Sequence, residues 1–475
     1  MTSTTTRREP SLLLLALVLV LGLVAPLLDT TIVNVAIPSL RRDLDTTVAT
    51  IQWISTAYLL AMAVSIPVTG WAAQRFGARR VWIAALWIFL AGSVLSGLAW
   101  NIGSLIGFRA LQGVGAGLLI PIMQTLLFSA AGGRPAGTTI ALVSLPALLG
   151  PVFGPVIGGL IVDHLDWRWI FYVNPPLCLA AILLAIRYVP RDSGDHAQRL
   201  DLTGLLLLSP GLAALVYGLS KLGDSGSGTG PGVVVPLIAG AALIAAFIRY
   251  ALRAASPLVD LRLFRVRTFS AASALMFLTG LASLGALLLL PLYYQQLRGE
   301  SVVTAGLLMV PQGIGTALSR AVAGTLERWG ARTVVLGAVL LSIVGTLPFA
   351  FADAGTSVAV LAVALVIRGA GLGTIFMAVL FGAYEGLSPA EIPHASTTTR
   401  ILQQVGGSFG TAIFAVVLQR GLATHAATPA VAFDHAFACA IALTLPALVA
   451  AFFVPTGRPA PTPAAPKEGA LSEAA

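Results

Sequence analysis

Apolar residues run along this chain in blocks of about twenty, separated by short stretches that carry Gly, Pro, Asp and Arg. A block of that length, wound as a helix rising about 1.5 Å per residue, crosses the roughly 30 Å hydrocarbon layer of a bilayer. The pattern predicts fourteen spans, at 12–36, 48–71, 81–99, 103–127, 137–161, 169–188, 202–220, 233–252, 268–292, 302–323, 333–352, 357–381, 398–419 and 434–455. An even number puts both ends of the chain on the same side. The first block follows Arg7 and Arg8 like a secretion signal. It runs on past Pro26 and Asp29 without a small-residue cleavage site, so it reads as a retained first span. The Pro- and Ala-rich segment after Pro455 has too little apolar surface to bury and reads as a disordered tail.

Composition narrows the class. Of 475 residues, 57% are hydrophobic and 10% charged, against about 25% charged in soluble domains, which excludes a water-soluble enzyme. The net charge of +9 lies in short loops and not on one patch, so no nucleic-acid partner is expected. With the N-terminus inside, the inner segments hold 20 Lys/Arg and the outer ones six, leaving Arg109 and Arg368 in or near spans. That bias orients both termini to the cytoplasm. Cys178 and Cys439 sit in apolar runs without CxxC or His neighbours, so neither a disulfide nor a metal site is expected.

The chain also repeats itself. Arg75-Phe-Gly-Ala-Arg79, after span 2, returns as Arg328-Trp-Gly-Ala-Arg332 after span 10, an offset of 253 residues. Arg109 with Gly113 and Gly115 is echoed by Arg368 with Gly371 and Gly373. The expected fold is an all-α membrane protein of two six-helix bundles with two helices inserted between them. Its divisions are 1–188, a linker with spans 7 and 8 at 189–260, a second bundle at 261–455, and a tail at 456–475. Two repeated bundles suggest a transporter that rocks one half against the other.

Asp29, in Leu28-Asp29-Thr30-Thr31-Ile32-Val33-Asn34, is the one acid placed well inside a span, where a charge is costly and functional by default. Counting from the span centres, Asp29 lies about 7.5 Å and Arg109 about 9 Å outside the midplane. The matched depths permit contact. Burial disfavours an ionised carboxyl and a neighbouring guanidinium favours it, so such an acid can take up and release a proton as its surroundings change. Gln112, one turn from Arg109, and Asn34 add polar groups. In span 5, Gly150-Pro151-Val152-Phe153-Gly154-Pro155-Val156-Ile157-Gly158-Gly159 combines kinking prolines with glycines that admit a neighbouring helix. The loop Gly70-Trp-Ala-Ala-Gln74-Arg75-Phe-Gly77-Ala-Arg79-Arg80 is basic, and its recurrence suggests a paired gate.

These motifs together resemble the major facilitator superfamily, in its fourteen-helix drug:proton antiporter branch. Gly70 to Arg80 resembles the superfamily's loop 2–3 signature, Arg109 to Gly113 its span 4 signature, and Gly150 to Gly159 the span 5 signature of antiporters. Leu28 to Pro38, Trp167 to Asn174 and Arg400 to Gly407 are similar to segments of the fourteen-helix branch. The resemblance implies a major facilitator fold, export across a bacterial cytoplasmic membrane, Asp29 as coupling carboxylate, Arg109 as its partner in proton coupling, and a span 5 seam controlling the outward opening. The loop 2–3 signature usually has an acid where this chain has Gln74. A weaker latch follows for the first half, with Glu327 beside Arg328 carrying more of the interaction.

Polar and aromatic residues in spans, among them Gln52, Trp53, Tyr58, Gln124, Tyr294, Gln312, Gln403 and Gln404, suit a roomy amphipathic pocket. Aromatic faces and one carboxylate lean toward lipophilic cations. Trp100, Trp167, Trp169 and Tyr293 read as interfacial anchors. A dedicated exporter of one natural product or lipid-like metabolite is the alternative. The five histidines fall in loops, against an intramembrane enzyme. The two lysines lie in no phosphate-binding loop, against an ATP-driven pump. The expected energy source is the proton gradient, with no cofactor, and two six-helix halves make a monomer sufficient.

Overall fold

The computed structural model describes residues 12–46, 48–51, 53–131, 154, 157–162, 164–192, 194–195, 199–225, 230–254, 257–319, 329–384, 387–388, 391–424 and 428–454. The described residues form helices and connections only. The first half contains α1 (Leu12–Asp43), α2 (Trp53–Ser65), α3 (Val68–Phe76), α4 (Ala78–Gly97), α5 (Ile102–Ala131) and α6 (Asn174–Tyr188). After α7 (Leu202–Ser225) and α8 (Pro231–Ala251) come α9 (Arg267–Leu292), α10 (Val302–Leu308), α11 (Val310–Leu318), α12 (Ala331–Thr346), α13 (Val358–Tyr384), α14 (Ile392–Thr424) and α15 (Pro429–Phe452).

Eleven described helices are long and apolar enough to cross a bilayer, and the bent pair α2–α3 makes a twelfth. The bend of 55° falls at Pro67, whose missing N–H and ring interrupt the helix. Val303–Leu318 is a shorter apolar helix, interrupted at Met309 just ahead of Pro311. Most of the fifth predicted span, 137–161, lies outside the described residues, as do Gly150, Pro155, Glu327, Arg328 and the chain from 455 onward.

Within the first half α1 packs on α5 and α6, and α5 also on α2 and α4. In the second, α9 packs on α14, α13 and α15, and α13 on α11 and α12. α7 touches both halves. It packs on α14 and on α2, where Tyr217 stacks on Trp53 at 5.7 Å and Ser209 Oγ donates to the Val64 carbonyl at 2.8 Å. α8 leans on α7 and leaves Val235, Ile238 and Ile248 exposed, as a lipid-facing helix does.

The sequence repeat has a backbone counterpart. Gly77 and Gly330, which are 253 residues apart, precede α4 and α12 with φ of +87° and +80°, a region closed to most side chains. Two residues on, Arg79 donates to the Ile186 carbonyl at 2.6 Å and Arg332 to the Val454 carbonyl at 2.9 Å. Each arginine thus ties the loop of its half to the end of the last helix of that half.

Three expectations need correction. Tyr293 is fully buried, its hydroxyl donating to the Asp353 carbonyl at 2.9 Å and its ring edge-on to Phe349, Phe433 and Phe437. Trp167 is buried against Phe171. Neither is an interfacial anchor, whereas Trp100 and Trp169 are exposed. The histidines are not all in loops, for His394 lies on α14 and His435 on α15. The apolar window of span 13 opens at 398, but hydrogen bonding carries α14 back through polar residues to Ile392, and His435 falls within span 14 at 434–455.

Candidate functional site

Asp29 and Arg109 meet inside the first half. Arg109 Nη1 lies 2.5 Å from Asp29 Oδ2, with Asp29 fully buried and Arg109 1% exposed. The same Nη1 donates to Gln112 Oε1 at 2.7 Å, and Gln112 Nε2 donates to Asp29 Oδ1 at 2.9 Å, so the three close a ring. Arg109 lies 4.3 Å from the Tyr58 ring centroid on α2 and 5.8 Å from that of Phe171. These aromatic faces favour the cation further.

Sequence reasoning missed the outer supports. Asn174, at the start of α6, donates through Nδ2 to Ser93 Oγ at 2.9 Å and to Asp29 Oδ1 at 3.3 Å. Ser93 on α4 also receives Gln112 Nε2 at 3.3 Å and donates to the Phe171 carbonyl at 2.9 Å. Four helices therefore converge on one carboxylate. The approach of α4 to α5 depends on Gly92, where a Cβ would lie 2.6 Å from the Gln112 backbone nitrogen. A polar Asn ahead of Pro175 and Pro176 was a usable signal for Asn174. Nothing in the sequence marked Ser93.

Other predicted residues lie elsewhere. Asn34 is on α1 beyond Asp29, with its side chain outside the described residues. Gly154 and Gly158 are buried and Gly159 is half-buried. A Cβ on Gly154 would run into Thr31 Oγ1, two residues from Asp29, while one on Gly159 would meet nothing within 4 Å.

At the α3–α4 end of the bundle, Gly70 is buried under α14, a Cβ there lying 3.2 Å from the Pro393 carbonyl oxygen and from Thr397 Oγ1. Thr125 on α5 and Ser396 on α14 are hydrogen-bonded at 3.1 Å, so the halves touch at this end. Arg75 lies by the Phe76 ring at 6.0 Å, and Arg80 is exposed. The start of α4 is held by a carboxylate that the loop motif does not contain. Asp192, in the segment after α6, accepts from the Ala78 N–H through Oδ2 and from the Arg79 N–H at 3.2 Å through Oδ1. The Asp195 N–H donates to the Gln74 carbonyl at 2.7 Å. An acid on a helix N-terminus satisfies orphan donors and faces the positive end of the dipole. Asp192→Ala is expected to lower stability by about 1 kcal/mol, the usual cost of a lost cap, read as an earlier thermal unfolding midpoint in detergent. Asp192→Asn, which keeps an acceptor, is expected to lose less.

The sequence profile of the Major Facilitator Superfamily matches residues 19–411. The chain is 40% identical over 416 residues to the "Multidrug resistance protein B homolog" of Mycobacterium tuberculosis, covering 87% of this chain and 77% of that protein. It is 31% identical to the "Multidrug export protein EmrB" of Haemophilus influenzae, covering 87% and 82%. Among solved structures, the proton:xylose symporter XylE bound to 6-bromo-6-deoxy-D-glucose superposes with a TM-score of 0.64 at 14% identity, covering 94% of this chain and 97% of that one. That likeness concerns the fold alone.

Proposed function

The chain belongs to the Major Facilitator Superfamily, and we propose that this multi-pass membrane protein exports lipophilic drugs or antibiotics in exchange for protons. The ion pair of Asp29 and Arg109 carries the reading, because the charge of an intramembrane acid held by one guanidinium and by neutral donors on neighbouring helices is tied to the packing of those helices. When Asp29 takes a proton, its hold on Arg109 weakens, and the hydrogen bonds it accepts from Gln112 and Asn174 are free to rearrange. Since those groups come from α1, α5 and α6, the change reaches the packing of the first half. Alternation would be a rocking of residues 1–188 against 261–455, with Gly70, Thr125, Ser396 and Thr397 parting at the inner end. The termini would then face the cytoplasm, in accord with the Lys/Arg bias of the loops. The proton gradient would serve in place of any cofactor, no chemical transformation of the substrate is involved, and a monomer contains the whole pathway.

Charge decides the driving force. A unit charge crossing 100 mV gains about 2.3 kcal/mol, so one proton exchanged for one monovalent cation draws nothing from the potential, while exchange for a neutral molecule does. Cells expressing the protein are expected to lower their load of a fluorescent lipophilic drug, and a protonophore is expected to abolish that. Efflux unchanged by the protonophore would remove proton coupling. A membrane-inserted protein that moves none of a broad drug panel would favour the dedicated exporter.

A further inference from the structure

We propose that the second half carries a receptor point for the carboxylate, or an equivalent anionic group, of an amphipathic substrate, centred on Arg368. This rests on the export reading above and names the substrate class. The offset that carries Gly77 to Gly330 and Arg79 to Arg332 carries Asp29 to Ala282. The carbonyl of Ala282 accepts from Arg368 Nη2 at 3.3 Å. Arg368 thus reaches the backbone of the second copy's equivalent of the Asp29 position, from the register of Gln112, since Gly92 closes on the Gln112 nitrogen as Gly345, 253 residues on, closes on the Arg368 nitrogen. The second copy has a guanidinium beside this position and no acid at it.

What surrounds Arg368 is neutral. Its side chain is 3% exposed, and its partners are Gln312 Oε1 at 2.6 Å, Thr346 Oγ1 at 3.2 Å and the Ala282 carbonyl. No described carboxylate pairs with it, the ion pairs among the described residues being Asp29–Arg109 and Asp166–Arg168. Three neutral acceptors serve five N–H donors. An unpaired charge buried at membrane depth is costly, and a guanidinium presents a planar fork matched to a carboxylate. Gln312, on α11 and only half-buried, holds the acceptor position a carboxylate would take. It also sits on a tight seam. A Cβ on Gly369 would strike the Gln312 carbonyl and one on Gly315 the Val366 carbonyl, so α11 and α13 pass backbone to backbone beside it.

The charge of the interior agrees. Asp29 and Arg109 neutralise each other, while Arg400 on α14 has Gln403 Oε1 at 2.8 Å and no described carboxylate. Within the apolar stretches of the described spanning helices the other acid is Asp434, near the start of α15 beside His435, while Asp43 and Asp224 stand at the ends of α1 and α7. The spanning region therefore suits an anionic head more than the lipophilic cation that one carboxylate among aromatics suggested.

The test uses proteoliposomes of the full chain under an imposed pH gradient and potential, with two probes of one apolar body: anthracene-9-carboxylate and (anthracen-9-ylmethyl)trimethylammonium. Leak in protein-free vesicles is subtracted. Wild type is expected to move the carboxylate faster than the cation, with a rate that rises with the potential. Arg368→Gln is expected to lower the carboxylate-to-cation ratio by at least about tenfold, the scale of losing one partner of a buried charge pair, and Arg368→Lys by less. Ala282→Asp, which restores the acid of the first copy, is expected to pair with Arg368 and lower the ratio as Arg368→Gln does. Ala282→Asn adds the same volume without the charge and is expected to keep the ratio, so a packing fault cannot mimic the result. Transport of the cation alone, or an unchanged ratio in Arg368→Gln, would overturn the receptor point and leave export standing. Movement of neither probe, with no proton flux under a drug panel, would overturn both.

Discussion

Asp29→Asn is expected to cost about 3–5 kcal/mol of stability and to abolish proton coupling, whereas Asp29→Asn with Arg109→Gln is expected to recover most of the stability and none of the coupling. The asymmetry follows from burial. Asn fills nearly the volume of Asp and can still accept from Gln112, so what the single change removes is the countercharge to a guanidinium that is 1% exposed. Part of the cost is offset by the Tyr58 face at 4.3 Å, which stays in place. Removing both charges leaves polar groups that can satisfy one another, a replacement that is often neutral in stability. Thermal unfolding in detergent separates the variants, and proton movement on adding drug to proteoliposomes reads the coupling. Proton movement of wild-type size in Asp29→Asn would take the carboxylate out of the mechanism. A double variant no more stable than the single one would show that hydrogen-bond geometry, and not charge, holds these helices.

Much of the fold was legible because membrane depth is written directly in the sequence. Apolar blocks of about twenty residues need no tertiary information to be read as spans, and a charge inside one draws attention at once. That is how Asp29 and Arg109 could be matched by depth, and how Gln112 followed as a helical neighbour of Arg109. Depth alone does not give azimuth. Asn174 and Ser93 turn toward Asp29 only because α6 and α4 pack where they do, and neither placement has a one-dimensional signal. Arg400 shows the opposite failure. It falls with the inner segments in the Lys/Arg tally because it stands at the edge of span 13, which opens at 398, yet α14 begins at Ile392 and carries Arg400 two turns in. The acid absent at Gln74 was sought in the other copy of the motif. Asp192 holds the helix end from the segment after α6 of the same half, over a separation of 114 residues.

Gly154→Val is expected to reduce transport by at least about tenfold and to lower stability by about 1–3 kcal/mol, the usual range for overpacking, while Gly159→Val is expected to leave both near wild type. The two glycines are five residues apart in one helical motif, so composition does not separate them. Their surroundings do. A Cβ at Gly154 would overlap Thr31 Oγ1, and Thr31 is tied to its own helix by donating to the Leu28 carbonyl at 2.9 Å. Relief requires α1 to shift, and Asp29 lies within that same turn, its two oxygens fixed by contacts of 2.5 and 2.9 Å. A displacement of some tenths of an ångström there disturbs the charge pair as well as the packing, so transport falls further than stability. At Gly159 a side chain enters open space and gains helix propensity over glycine. Efflux rate and unfolding midpoint measured together for Gly154→Ala, Gly154→Val and Gly159→Val make the comparison. Full transport in Gly154→Val would mean that α1 absorbs the added volume without moving Asp29. Losses at Gly159 equal to those at Gly154 would mean that the motif needs glycine for backbone freedom throughout, and not for one close approach to α1.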